Sequence, residues 1–310
     1  MMLTIVIPAW NRQATLRRTL DSVAAQTLRP LKVVLVDNAS RDATRAIMDQ
    51  WKAEVDAPDF QVTVVHEPHL GASAARNCGL HMVDTPYVMF FDSDDEMLPD
   101  HSRQMLDTLL AHPEADIAGR AVTLSLLSGK TRTGRFTTRT PMFNHLFHGI
   151  LSTQRYIART ELISRVGEWH LKSLSWDDWE LGVRLLLANP VIVETPGEPG
   201  VIVHSQARSI TGTAFSHSPR KWEDTISIIR ENLTAAGRTD LLPWVHTRAM
   251  VLAAKYYREG AYSEARRLRK ATLALGKAPL RLRLLYLQHR LMGRGTALAA
   301  RMLFPRTPRV

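Results

Sequence analysis

The first hundred residues alternate short apolar runs with amphipathic stretches. Residues 3–8 (Leu-Thr-Ile-Val-Ile-Pro), 32–36 (Lys-Val-Val-Leu-Val), 61–66 (Gln-Val-Thr-Val-Val-His) and 86–91 (Pro-Tyr-Val-Met-Phe-Phe) are short and rich in β-branched and aromatic residues. That pattern predicts strands. Between them, 13–26 places Leu16, Leu20, Val23 and Ala24 at helical spacing, 42–54 reads as a second helix, and 72–83 as a third, rich in alanine. Strands and helices in this alternation predict a mostly parallel sheet with helices on both faces. Ligands of such sheets bind beyond the carboxyl ends of the strands. Asn11, Asp37 and Asp92 all fall at such ends.

Beyond residue 96 the pattern is less regular. It predicts a helix near 101–112, a strand near 117–126, and a hairpin or mobile loop in the polar stretch 128–141. A strand and helix follow over 155–165, a helix over 177–188, and short strands at 191–193 and 201–204. From 219 onward the chain reads as helical. Tyr256 to Ala265 resembles one tetratricopeptide-like hairpin, and a single copy cannot build a solenoid.

Three segments carry chemistry. Phe91-Asp92-Ser93-Asp94-Asp95 sets three carboxylates after an apolar strand. They suit either an acidic first turn of a helix or a hard divalent cation, which takes oxygen ligands and completes its shell with substrate phosphates. Val36-Asp37-Asn38-Ala39-Ser40 ends a strand in a carboxylate and then turns, with Ser40 placed to cap a helix. Asp37 there is also placed to accept hydrogen bonds from a nucleotide base. Gly71 to Asn77 is built of small residues that allow close approach, and it contains Arg76, a partner for Asp37 or Asp92 or for a phosphate.

Taken in order, Ile5 to Arg12, Leu20 to Thr27, Val36 to Ser40, Gly71 to Asn77 and Phe91 to Asp95 resemble the signatures of glycosyltransferase family 2. The resemblance implies an α/β fold of the GT-A type, a mostly parallel sheet flanked by helices. It implies a catalytic domain over 1–215, with a nucleotide-binding half (1–95) and an acceptor-binding half (96–215). A helical C-terminal extension would occupy 216–310. The family implies an inverting transfer from a nucleotide-diphosphate sugar, UDP-sugars favoured, to a hydroxyl of a glycan or lipid-linked acceptor.

By the same resemblance Pro8, Ala9, Asn11, Arg12, Asp37, Asn38, Arg76, Asp92 and Ser93 contact the nucleotide. Asp92, Asp94 and His204 hold Mn²⁺ or Mg²⁺. Trp176-Asp177-Asp178-Trp179 looks like the family's acidic catalytic motif, with Asp177 in place of the usual Glu and Asp178 as the general base. Val203 to Thr211 is similar to the segment that supplies the metal-binding histidine. A nucleotidyltransferase would carry a glycine-rich, basic signature after the first strand, and Ala9-Trp10-Asn11-Arg12-Gln13 lacks it. A non-catalytic scaffold would be expected to have lost Asp92, Asp94, Asp178 or His204.

Charge adds a partner class. The whole chain carries +10, yet residues 216–310 hold 19 Lys and Arg against 6 Asp and Glu, so residues 1–215 are slightly acidic. A basic tail suits lipid headgroups or phosphorylated carriers. Residues 279–304 interleave arginine with leucine, and a helix there puts Leu284, Leu287, Leu291 and Leu298 on an apolar side. That side either packs on the domain or lies on an anionic membrane. No nucleic-acid-binding module is recognisable, so nucleic acid is not an expected partner. One cysteine, Cys78, excludes an internal disulfide. With no signal-like or spanning apolar stretch, the sequence reads as cytoplasmic, at most at the inner membrane face.

Overall fold

The computed structural model describes residues 1–205, 214–275 and 279–303. In chain order the elements are β1 (Leu3–Ala9), α1 (Leu16–Ala24), β2 (Leu31–Asp37), α2 (Thr44–Val55), β3 (Phe60–His66), α3 (Ala72–Leu80), β4 (Tyr87–Phe90), β5 (Glu96–Met97), α4 (His101–Ala111), β6 (Ile117–Gly119), β7 (Val122–Ser125) and β8 (Thr131–Gly134). Then come α5 (Pro141–His148), β9 (Tyr156–Arg159), α6 (Thr160–Arg165), α7 (Asp177–Leu187), β10 (Ile192–Glu194), β11 (Val201–His204), α8 (Pro219–Ala235), α9 (Leu242–Arg258), α10 (Tyr262–Leu275), α11 (Pro279–Met292) and α12 (Thr296–Leu303). Contacts gather them into two compact units.

The first unit comprises Met1–Thr138, Ile150–Leu171 and Ala188–Gln206. Its main sheet runs β10-β6-β9-β4-β1-β2-β3. Every neighbouring pair is parallel except the two made by β9. Both faces of β1 are covered, so all seven of its residues are buried. That explains why it reads as a continuous apolar run rather than an alternating one. α1 presents Leu16, Leu20 and Val23 to the core at the expected spacing. The helix starts at Leu16, at the first apolar position of the stretch expected over 13–26, because Asn11 to Thr15 belong to the loop between β1 and α1.

The expected strand over 117–126 is two strands in different sheets. β6 joins the main sheet, and β7 joins a four-stranded sheet, β5-β11-β7-β8. The break at Arg120 and Ala121 redirects the chain, and the polar stretch beyond it forms the hairpin β7–β8.

α3 lies close to the sheet because its small residues permit it. A Cβ at Gly79 would collide with the Val6 side chain and lie 3.0 Å from Val36 Cγ2. Both valines belong to the core of the sheet, so neither can move freely. Gly79→Val is expected to destabilise the protein by about 3 kcal/mol through overpacking. The check is a fall in the urea midpoint with an unchanged m-value.

The second unit comprises Arg139–Gly149, Lys172–Leu187 and Ala207–Val310. Its described part is helical. α9 buries residues on nearly every side, from Trp244 to Tyr256, against α8, α10 and α11. The turn between α9 and α10, with Gly260 at φ 84°, is the hairpin expected from Tyr256 to Ala265. The single helix expected over 279–304 is interrupted: Gly293 and Gly295 take positive φ and separate α11 from α12. Among the described residues no helix is long and apolar enough to cross a membrane.

Candidate active site

Because β1, β2 and β4 are parallel neighbours, their carboxyl ends lie at one edge of the sheet. Ala9 pairs with Asp37 in register, and the Phe91 N–H bonds the Val6 carbonyl at 2.9 Å, so the acidic run begins just past the same edge. Loop conformation there is unusual. Of the six non-glycine residues with positive φ among those described, Asn11 and Ala39 sit on these loops. Such backbone costs energy and persists where surrounding contacts hold it.

Loop β1–α1 is tied to loop β2–α2. The Asn11 N–H donates to Ser40 Oγ at 3.1 Å, and the Arg41 N–H donates to Asn11 Oδ1 at 2.9 Å. The Arg12 N–H reaches Thr44 Oγ1 at 2.7 Å. Asp37 is buried. It accepts from the Ser40 N–H and lies 3.1 Å from His66 Nδ1. Asn38 is committed to the backbone: its amide donates to the Glu67 and His69 carbonyls and accepts from the Gly71 N–H. Its side chain therefore shapes the loop around Asp37. Pro8 and Ala9 contribute backbone at the end of β1, where the Ala9 carbonyl accepts from the Asn38 N–H.

The acidic run is densely wired. Asp92 accepts from Arg76 Nη2 at 2.8 Å, and from Gln154 Nε2 at 2.6 Å. The Arg76 guanidinium, itself buried, stacks 4.4 Å over the Trp169 ring. Of the two carboxylates expected as partners for Arg76, Asp37 and Asp92, the structure pairs it with Asp92. Asp94 lies 3.7 Å from the Arg12 guanidinium. Burial, and then the charge of Asp92, push the Asp94 carboxyl above its usual range. Asp95 is buried and accepts from Gln154 and from the His204 N–H. Burial, followed by the charges of Asp92 and Asp94, raises it to about 8. Ser93 is buried, and its carbonyl accepts from Thr15. His204 ends β11, with Nε2 3.4 Å from Glu96.

Among the described residues no three His, Cys, Asp or Glu side chains lie close enough to form a metal cage of their own. The structure thus brings Asp92, Asp94 and Asp95 into one electrostatic group and leaves the buried His204 Nε2 without a hydrogen bond among the described residues, 3.4 Å from Glu96. A Mg²⁺ or Mn²⁺ site needs less than a cage: one or two carboxylates suffice when substrate phosphates complete the shell. Mutually repelling, half-desolvated carboxylates are the donor set that such a cation relieves, so the residues fit the group. The rest of the segment expected to follow His204, residues 206–211, lies outside the described residues.

In the second unit Asp177 and Asp178 open α7. The Asp178 N–H donates to Asp177 Oδ1, and the Trp179 N–H donates to Asp178 Oδ1 at 2.7 Å. Negative charge is stabilised at this end of a helix. Arg248 from α9 stacks on Trp176 at 4.3 Å and on Trp179 at 4.9 Å. Burial pulls this guanidinium down to about 10 against the opposing charge of Asp178. Next to it, Lys255 lies 3.8 Å over the Phe215 ring and is pushed down to about 8 by burial and by Arg248.

The sequence did not single out Gln154, Trp169 and His66, which hold the groups at the sheet edge, or Arg248, which stacks on the tryptophans flanking the start of α7. Gln154 and Trp169 stand roughly sixty and ninety positions from the groups they hold. Only the Trp-Asp-Asp-Trp cluster hinted that an aromatic-binding cation would be found beside Asp178.

The sheet order, the acidic edge and the adjoining hairpin sheet define an α/β protein of the GT-A kind. Residues 4–160 match the model of glycosyl transferase family 2, and the chain belongs to that family. It is 33% identical to glycosyltransferase GlyA of Streptococcus pneumoniae over 116 residues, 37% of this chain and 16% of GlyA. It is 39% identical to the succinoglycan biosynthesis protein ExoW of Rhizobium meliloti over 102 residues, 32% of this chain and 31% of ExoW. The matches therefore span less than a third of either relative.

Two solved structures share the fold. Staphylococcus aureus TarS in complex with UDP-GlcNAc superposes with a TM-score of 0.59 at 17% identity, covering 98% of this chain and 90% of that one. The mannosyltransferase PcManGT of Pyrobaculum calidifontis, in complex with GDP-Man and Mn²⁺, superposes with a TM-score of 0.54 at 19% identity, covering 98% and 87%.

Proposed function

We propose that the protein is an inverting glycosyltransferase that moves a sugar from a nucleotide-diphosphate donor, UDP-sugars preferred, to a hydroxyl of a glycan or lipid-linked acceptor in surface polysaccharide or lipopolysaccharide assembly. The observation that carries this reading is the single sheet edge at which β1, β2 and β4 bring together Asp37, Arg12 and the Asp92–Asp94 pair. Family membership supports it, as does the fold shared with proteins solved in complex with UDP-GlcNAc and GDP-Man.

In this reading Asp37, held by Ser40 and His66, accepts from a ring N–H of the base, while backbone of Pro8 and Ala9 lines the nucleotide. Asn38 keeps that loop in place. Asn11, Arg12 and Ser93 border the diphosphate. Arg76 orients Asp92 by a charge-assisted hydrogen bond. Asp92 and Asp94 are the residues that would hold Mn²⁺ or Mg²⁺, with His204 as a further ligand. When bound, the cation supplies positive charge beside the departing diphosphate. Asp178 accepts the proton of the acceptor hydroxyl as it attacks the anomeric carbon. Attack from the face opposite the leaving diphosphate inverts that centre.

The functional division follows: 1–95 binds nucleotide, 96–215 shapes the acceptor site, and the basic region 216–310 draws the enzyme toward the inner, cytoplasmic face of an anionic membrane. The test is calorimetric titration of UDP, GDP and dTDP with and without Mn²⁺, followed by product analysis. Metal-dependent binding of one nucleotide, and its release as free nucleoside diphosphate on turnover, is the expected result. Pyrophosphate as product, or no nucleotide binding by folded protein, overturns the reading.

A further inference from the structure

α11 and α12 have two faces of different character. Leu282, Leu285, Tyr286 and His289 of α11, and Ala300 of α12, are buried. On the other side Leu280, Leu284, Leu287 and Leu291 are 69%, 47%, 44% and 75% exposed. Their spacing of four, three and four residues makes one stripe along the outer face of α11. α12 adds Leu298 and Met302, at 61% and 72% exposure. Leucines at this density are ordinarily covered by something. The sequence expectation placed Leu284, Leu287, Leu291 and Leu298 on an apolar side. The structure separates them from the residues that pack, which are the intervening positions.

Charge narrows the choice of cover. Residues 279–310 contain seven arginines and no Asp or Glu. Arg290 and Arg301 are engaged in packing, over the Tyr257 and Phe143 rings. Arg281, Arg283 and Arg294 are exposed beside the leucine stripe. A second copy of this face would satisfy the leucines but bring arginine against arginine, with no carboxylate on either helix to offset them. A nucleic acid would take the arginines and leave the leucines in water. An anionic bilayer satisfies both: apolar side chains enter the headgroup–acyl boundary while guanidinium groups meet lipid phosphates.

We propose that the outer face of α11, extended by Leu298 and Met302, is the docking surface of this protein on anionic phospholipid. It deepens and rests on the reading of a membrane-held acceptor. Nucleotide binding, measured on the same samples, keeps failure of one separable from failure of the other.

The experiment is co-sedimentation of the full chain with phosphatidylcholine vesicles, with and without phosphatidylglycerol, at low and high salt. It compares wild type, Leu284→Ser/Leu287→Ser/Leu291→Ser and Arg281→Gln/Arg283→Gln/Arg294→Gln. The exchanged leucines are exposed, so the fold and nucleotide binding are expected to survive. Wild type is expected to pellet with anionic vesicles. The leucine variant should bind them at least about tenfold more weakly, and the arginine variant should lose the preference for anionic lipid. Wild type that binds nucleotide but stays in the supernatant overturns the proposal. So does a leucine variant that pellets like wild type. A dimer in sedimentation velocity without lipid, dissolved by the leucine exchanges, assigns the face to a second copy instead and likewise overturns it.

Discussion

Asp178→Asn is expected to bind nucleotide sugar as wild type does and to lose about 10²–10⁴-fold in kcat, the usual worth of a positioned general base. The exchange is nearly isosteric, and the Asn side-chain oxygen can still accept the Trp179 N–H that Asp178 accepts at 2.7 Å. What disappears is the capacity to take a proton. Asp177 is the internal control. Its carboxylate receives the Asp178 N–H, a helix-opening role that Asn also fills. Asp177→Asn is therefore expected to cost less than about tenfold, since a hydrogen bond to a charged acceptor is weakened but no proposed proton acceptor is lost. Steady-state kinetics with the donor Kd measured separately distinguish the two. An Asp178→Asn enzyme with near-normal kcat would remove this residue from the chemistry.

The second large effect concerns Asp94, and it has opposite signs in two measurements. Asp94→Asn removes one of the carboxylates proposed to hold the cation, so the Mn²⁺-dependent part of nucleotide affinity should vanish. kcat/KM should fall by about 10²–10³ or more, as when a group stabilising the departing charge is deleted. The metal-free protein should nevertheless become more stable. Burial and Asp92 raise the folded-state pKa of Asp94. A carboxyl raised on folding binds more protons in the native state. Its ionisation therefore costs stability as pH rises from the unfolded pKa through the folded one, and the cost is fully present above both. Asn carries no such cost, and Arg12 and Arg18 offset only part of it. Thermal melts at neutral pH should show a higher Tm for the metal-free variant and no further rise on adding Mn²⁺ with nucleotide. A lower metal-free Tm would mean that Arg12 outweighs the repulsion. This is the trade of stability for function expected of a site that concentrates like charge.

Much of this was legible along the chain. The apolar runs of β1 to β4 and the helices between them follow from local pattern. A parallel sheet buries its strands on both faces, and buried strands are written as uninterrupted Val, Ile and Leu. The positions of Asp37 and Asp92 follow as well, because a strand that ends in a carboxylate in such a sheet ends at the ligand edge. The charge contrast between residues 1–215 and 216–310 needs no coordinates at all.

Other features depend on contacts between residues distant in sequence, and no local pattern encodes them. Residues 117–126 read as one strand, yet they split between two sheets, a choice made by the partners β9 and β11. Arg76 had three plausible partners by type. Its pairing with Asp92, and its stacking on Trp169, were set by how α3 lies against the sheet. Gln154 has no motif to announce it, and it acquires meaning only by reaching both Asp92 and Asp95.

The sequence by itself determined the family, the strand–helix alternation and the residue types at the acidic edge, because hydrophobic periodicity and turn chemistry are local properties. The tertiary structure alone decided which carboxylates share one field and which cation stands beside Asp178. It also decided which leucines of α11 are buried and which face outward, since burial and electrostatics belong to neighbours in space.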